Sequence, residues 1–323
     1  MMRKAAVIDM GTNTFHLLLV SVEDSSYDVL YKEKVPVKIG QGGINQNTIL
    51  PEAQKRAFHT LTHFSNLIKG EKIELVFAFA TSAVRNAQNG GEFIARIQKE
   101  IGIKVNIIDG DREADLIYKG IRMSKSLNQE NCLMMDIGGG SVEFIIGNEE
   151  EALWKKSFEI GGQRLLDLFH YHDPMLPEEI DKLDRYLEEK LKSLIAAILK
   201  YRPGHLVGAS GTFDTLTDIY LASTSQSKSK NIHHYLLPIK DFYAIAERLV
   251  NLTKTERLNI PGMIPMRVDM IVVASCLIQF ILKHVPTDYL SCSTFSLKEG
   301  VLSELMTNEK IKFQVKETNW QYE

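Results

Sequence analysis

Short apolar runs bounded by turn residues recur along this chain, and such runs predict strands. Ala5-Ala6-Val7-Ile8 ends in Asp9, Gly11-Thr12-Asn13-Thr14 makes a turn, and the chain is apolar again from Phe15 to Val20. The same order returns near the middle. Cys132-Leu133-Met134-Met135 leads into Asp136, Gly138-Gly139-Gly140 interrupts, and Phe144-Ile145-Ile146 follows Glu143. Each stretch predicts a hairpin with an aspartate at the end of its first strand; a Walker loop would continue into a helix instead. Strand patterns also cover 29–39, 75–80, 105–108, 154–160, 205–207 and 289–292. Helical spacing covers 51–68, 93–101, a segment opened by 109–115, 161–169, 177–199, 213 onward, 236–252, 268–282 and 296–306. Strands and helices alternate, so the class is α/β. Two similar hairpins suggest two halves of similar topology, because a repeat is a stronger signal than either copy alone. The second half begins near Ser124, giving expected domains of 1–123 and 124–299, with residues from about 300 to 323 returning to the first.

The turns carry the candidate chemistry. Three consecutive glycines lack Cβ, can take positive φ, and can turn their N–H groups onto an anion. Asp136 and Glu143 flank them and offer hard oxygens to Mg²⁺, which binds through one or two carboxylates plus substrate phosphate. If the halves face each other, Asp9 joins Asp136 in the cleft between them, where ligands favour domain boundaries. Gly208-Ala209-Ser210-Gly211-Thr212 is a third small-residue turn, placed to cradle a phosphate or nucleotide at a helix start. Arg85 follows a strand end, and its planar fork suits phosphate oxygens. Arg164 and Arg267 stand at helix starts where they could face the same anion. The acidic run Asp109-Gly110-Asp111-Arg112-Glu113-Ala114-Asp115 opens a helix leading into the second half. One of its carboxylates is a candidate general base, and spacing does not pick which. The Ser/Lys segment 223–230 reads as a loop, and the histidines match no metalloprotease pattern.

Composition narrows the ligand. The 323 residues are 44% hydrophobic and 24% charged, which fits an ordinary globular protein of about two domains. A net charge of −3 argues against a general nucleic-acid binder, so a polyanion must be held by local positive groups. Cys132, Cys276 and Cys292 lie in or beside apolar runs and read as reduced core thiols. With no secretory segment and no membrane-spanning run, the expected location is the cytoplasm.

Several segments together resemble the exopolyphosphatase/guanosine pentaphosphate phosphatase (Ppx/GppA) family. These are Asp9 to His16, Ala80 to Gly90, Gly110 to Ala114, Asp136 to Glu143, Gly208 to Thr212, Arg267-Val268-Asp269 and Leu297-Lys298-Glu299-Gly300. The resemblance implies two actin-like, ribonuclease-H-like domains of the ASKHA superfamily with the site in the inter-domain cleft. It implies Mg²⁺-dependent hydrolysis of the terminal phosphoanhydride of inorganic polyphosphate, or of guanosine pentaphosphate (pppGpp), by a homodimer. By position, Glu113 becomes the base, with Arg85 on the terminal phosphate. Asp136, Glu143 and Asp9 hold the metal. Gly11, Thr12, Asn13, Gly138, Gly139, Gly140, Ser141, Gly211, Thr212 and Arg267 hold phosphate oxygens. Arg112, Asp115, Val142 and Lys298 depart from the family pattern. An actin-like kinase and a non-catalytic polyphosphate or nucleotide sensor are the competing readings from other classes.

Overall fold

A computed structural model of the chain describes residues 3–23, 26–229 and 231–307. The first half runs β1 (Arg3–Met10), β2 (Phe15–Glu23), β3 (Ser26–Val35), α1 (Pro51–Gly70), β4 (Leu75–Ala80), α2 (Ser82–Arg85), α3 (Gly90–Ile101), β5 (Val105–Ile107) and α4 (Gly110–Met123). The second half opens with β6 (Cys132–Ile137), β7 (Val142–Gly147), β8 (Ala152–Phe158), α5 (Gly162–Phe169), α6 (Pro177–Lys190), α7 (Lys192–Tyr201), β9 (Leu206–Ala209) and α8 (Ser210–Ser223). It closes with β10 (His234–Pro238), α9 (Ile239–Asn251), α10 (Lys254–Leu258), α11 (Met270–Leu282), β11 (Tyr289–Ser293) and α12 (Leu297–Met306).

Both sheets follow one plan. The first has the order β3-β2-β1-β4-β5, and the second, read from its other edge, is β8-β7-β6-β9-β11-β10. In each, the first three strands form an antiparallel meander and the first strand then pairs in parallel with the fourth. This is the ribonuclease-H-like arrangement, twice, with β10 added antiparallel on the second edge. The two-residue alternation of strands divides the cores. Ala6, Ile8 and Met10 pack on α1 and α3, whereas Ala5 and Val7 face the other way. Likewise Leu133, Met135 and Ile137 enter the second half's own core, while Cys132 and Met134 face the other side. The core between the sheets therefore joins both halves, and α4 and α12 complete it. The central strands are buried on both faces, which is why they read as unbroken apolar runs.

α4 and α12 meet backbone to backbone. A Cβ on Gly120 would collide with the Ser296 carbonyl, and one on Gly300 with the Leu116 carbonyl, so only glycine permits the crossing. Arg112 and Lys119 of α4 close it by pairing with Glu304.

Some expected elements change. The single helix over 177–199 is two, broken at Leu191, whose ψ of 14° leaves the helical range. The helix over 236–252 begins only at Ile239, because His234–Pro238 pairs with β11. The loop over 223–230 is tied down where it is described: Lys228 pairs with Asp214 at 3.2 Å and Asp218 at 3.1 Å. Lys230 and the tail from 308 lie outside the described residues. The three cysteines are free and buried. Among the described residues, no helix is long and apolar enough to cross a membrane.

Candidate active site

The two hairpins bring their strand ends together. Asp9 stands opposite His16 in the first and Asp136 opposite Glu143 in the second. Their turns touch directly. A Cβ on Gly139 would lie 2.9 Å from Asn13 Nδ2, and one on Gly140 would lie 2.7 Å from Thr12 Oγ1. Gly139 and Gly140 are thus required by the close approach of the first turn, and Gly138 by the Ser141 carbonyl of its own turn. None of them has positive φ, in contrast to the sequence expectation. The left-handed residue sits at the third turn instead: Ser210 has φ 69°, and its Oγ donates to Asp136 Oδ2 at 2.7 Å. A non-glycine held there stores strain, a feature that clusters at functional sites.

Between the turns lies a chamber of about 120 Å³. It is lined by Asp9, Gly11, Thr12, Asn13, Gly138, Gly139, Gly140 and Ser141 from the hairpins, with Asp136 and Glu143 at the second. Glu113 enters from the first turn of α4, Gly211 from the third turn and Arg267 from the loop before α11. All of these were expected from the sequence. Two other expected residues stand behind the wall. Thr212 is buried in the first turn of α8. Arg85 reaches the chamber only through Glu113: its Nη1 donates to Glu113 Oε2 at 2.8 Å and to the Ile108 carbonyl at 3.0 Å. Arg164 does not line the chamber; it donates from Nε to the Gly140 carbonyl and from Nη1 to the Ile44 carbonyl, both at 2.9 Å, and from Nη2 to Glu159 Oε2 at 3.2 Å.

The chamber concentrates unlike charges. Burial pushes Asp9 up to about 6 against the pull of Lys298. Burial, with Asp136 adding, pushes Glu143 up to about 7, while Ser157 Oγ donates to it at 2.7 Å. Asp136 is also raised by burial, and the hydroxyls of Ser296 and Ser210 partly offset that. Glu113 is raised well above the usual carboxylate range by burial and by Glu143, with Arg85 opposing. Four destabilised carboxylates around one space are a place where a cation would bind favourably. Among the described residues no three His, Cys, Asp or Glu side chains form a ready-made cage. The donors therefore fit a hard ion that keeps waters and shares phosphate oxygens, as Mg²⁺ does, and not an all-protein site.

Sequence reasoning missed most of the opposing charge. Lys34, at the end of β3, and Lys298, at the start of α12, line the same chamber. Burial and Arg267 lower Lys34 to about 8. Burial also opposes the charge on Lys298, but Glu299 and Asp9 outweigh it and raise its pKa. The Arg267 Nε is buried with no protein partner, facing a chamber built for acceptors. Lys298 was findable, since it lies inside one of the family-like segments. Lys34 sits in an alternating strand and gives no local signal. His16 also lines the space and closes the first family-like segment, whereas Asp214 and Ser296 line it without a motif to mark them.

Comparison with known proteins agrees with this construction. The profile of the Ppx/GppA phosphatase family matches residues 18–309. The crystal structure of an exopolyphosphatase from Cytophaga hutchinsonii is 46% identical, with TM-score 0.92, covering 95% of this chain and 98% of that one. A bifunctional 3-dehydroquinate synthase/phosphatase from Fusobacterium nucleatum is 30% identical over 318 residues, covering 94% of this chain but only 47% of that longer protein. The Aquifex aeolicus PPX-GPPA enzyme, 24% identical with TM-score 0.77 over 94% of this chain and 100% of that one, shares the fold. With the paired hairpins, the acidic chamber and a profile match over nearly its whole length, the chain belongs to the Ppx/GppA phosphatase family.

Proposed function

We propose that this protein is an exopolyphosphatase, removing the terminal phosphate of inorganic polyphosphate by Mg²⁺-dependent hydrolysis. The observation that carries the reading is the single chamber in which two glycine-bearing turns, four buried carboxylates and the cations Lys34, Arg267 and Lys298 converge. The N–H groups of the two turns hold phosphate oxygens, and the three cations offset the charge of the chain behind them. Asp136, Glu143 and Asp9 would hold Mg²⁺, which supplies charge neutralisation at the phosphoryl oxygens. Glu113 accepts a proton from the attacking water, and its burial beside Glu143 makes the carboxylate a stronger proton acceptor. The new bond joins water oxygen to the terminal phosphorus. The anhydride P–O bond breaks, its electron pair leaves with the shortened chain, and orthophosphate departs.

The test is phosphate release measured in parallel from short polyphosphate, long polyphosphate, pppGpp and ATP, with and without Mg²⁺. The expected result is Mg²⁺-dependent orthophosphate from polyphosphate faster than from either nucleotide. Faster release from pppGpp would move the assignment to a pppGpp phosphohydrolase. Tight polyphosphate binding without release would mark a sensor, and label transferred from ATP to a sugar would mark a kinase.

A further inference from the structure

Glu159 belongs to the second half, just past the end of β8, and is 40% exposed at its side chain. Its Oε1 accepts from Arg85 Nη2 at 3.1 Å. Its Oε2 accepts from Ser82 Oγ at 2.5 Å and from Arg164 Nη2 at 3.2 Å. Ser82 and Arg85 come from α2 of the first half, so this carboxylate bridges the cleft. Arg164 is itself fixed to the Gly140 carbonyl of the second turn and to the Ile44 carbonyl of the first half. A continuous polar chain thus runs from the second phosphate turn through Arg164, Glu159 and Arg85 to Glu113.

We infer that Glu159 is a positioning residue: it holds the Arg85 guanidinium flat against Glu113, so that the base is set only when the two halves are closed on each other. This rests on the reading of Glu113 as the base. The physical need is plain. An arginine side chain has many rotamers, and acceptors on Nη1 alone, Glu113 and the Ile108 carbonyl, do not fix the plane of its fork. Anchors on Nη1 and Nη2 together do, and the second anchor comes from the opposite half. A displacement of about 1 Å at such a support can cost on the order of 10²-fold in rate.

The experiment is a double-mutant cycle on phosphate release from inorganic triphosphate. Glu159→Gln is expected to lower kcat about 10- to 100-fold with KM changed less than about threefold. In an Arg85→Gln background the same substitution costs less than about twofold, because its route of action is already gone. Asn45→Ala removes a cross-cleft contact to Arg164 without touching Arg85, and stays within about twofold of wild type. Glu159→Asp, which keeps the charge, recovers part of the loss. Equal costs in both backgrounds, or an Asn45→Ala loss as large as that of Glu159→Gln, would overturn the inference in favour of a simple clasp. If the wild-type protein releases no phosphate at all, the hydrolase reading fails separately. The same cycle on the free energy of unfolding then decides whether Glu159 holds Arg85: additive losses reject it, and non-additive ones support it.

Discussion

The two hairpins share a backbone plan and differ in what they carry. In the first, Asp9 faces His16 across the strand pair, and burial drives that histidine well below its ordinary value, so it stays neutral. In the second, Asp136 faces Glu143, and two carboxylates share one strand end. The first turn projects side chains, Thr12, Asn13 and Thr14. The second carries three glycines: Thr12, Asn13 and Ser82 occupy the space that Cβ atoms on Gly139 and Gly140 would need, and the Ser141 carbonyl crowds that of Gly138. Duplicated topology has been filled unequally: one half supplies the acidic pair, and the other presses polar side chains onto its turn. A repeated scaffold fixes where functional groups stand and leaves open which groups they are.

That asymmetry can be broken at several points. The largest effect is expected at Glu113, in the helix that leads from one half to the other. Glu113→Gln should lose about 10²- to 10⁴-fold in kcat while circular dichroism stays unchanged, and near-normal turnover would remove it from the role. Next comes the acidic pair: Asp136→Asn should cost about 10²-fold and raise the Mg²⁺ concentration needed for half-maximal rate. Asp9→Asn, with no second acid opposite, should cost only about tenfold. Equal losses for the two aspartates in a Mg²⁺ titration would show that the halves contribute alike. Gly140→Ala should then drive the turns apart against Ser82 and Thr12, raising KM several-fold with a smaller change in kcat.

The smallest effect is on stability against pH. Unfolded carboxylates titrate near about 4, whereas Asp9 and Glu143 stand at about 6 and about 7 in the fold. A raised carboxylate favours the folded state fully below its unfolded pKa, and that contribution is lost as pH rises through the folded value. Metal-free protein should therefore lose a few kcal/mol from these groups between about pH 4 and about pH 7, read as a falling Tm. Added Mg²⁺ should restore more at pH 8 than at pH 5. Asp9→Asn should flatten the lower part of the curve and Glu143→Gln the upper part; no change with either variant would place the pH dependence elsewhere.

Much of this was legible in the chain. The hairpins declared themselves because central strands are buried on both faces and so read as unbroken apolar runs ending in a charge. The facing of Asp9 and Asp136 followed from the repeat. Other features needed three dimensions. The β10 segment His234–Pro238 carries no alternation of its own and is a strand only because β11 lies beside it. Leu191 breaks a helix inside a pattern whose apolar spacing continues on both sides. Lys34 lines a chamber built from distant segments and Glu159 meets Ser82 and Arg85, far away in sequence, and nothing in their neighbours marks them. The glycine turn was found for its composition, but its reason is contact with the opposite turn, which no local reading supplies.

The crossing of α4 and α12 has a consequence for movement in the cleft. Two helices welded at Gly120 and Gly300 cannot slide past each other without carbonyls meeting Cα atoms. Glu113 rides on the leading turn of one and Lys298 on the leading turn of the other. In any bending of the cleft, the Glu113 carboxylate and this ammonium swing as one lever, their spacing conserved by a joint that the ion pairs of Glu304 with Arg112 and Lys119 lock.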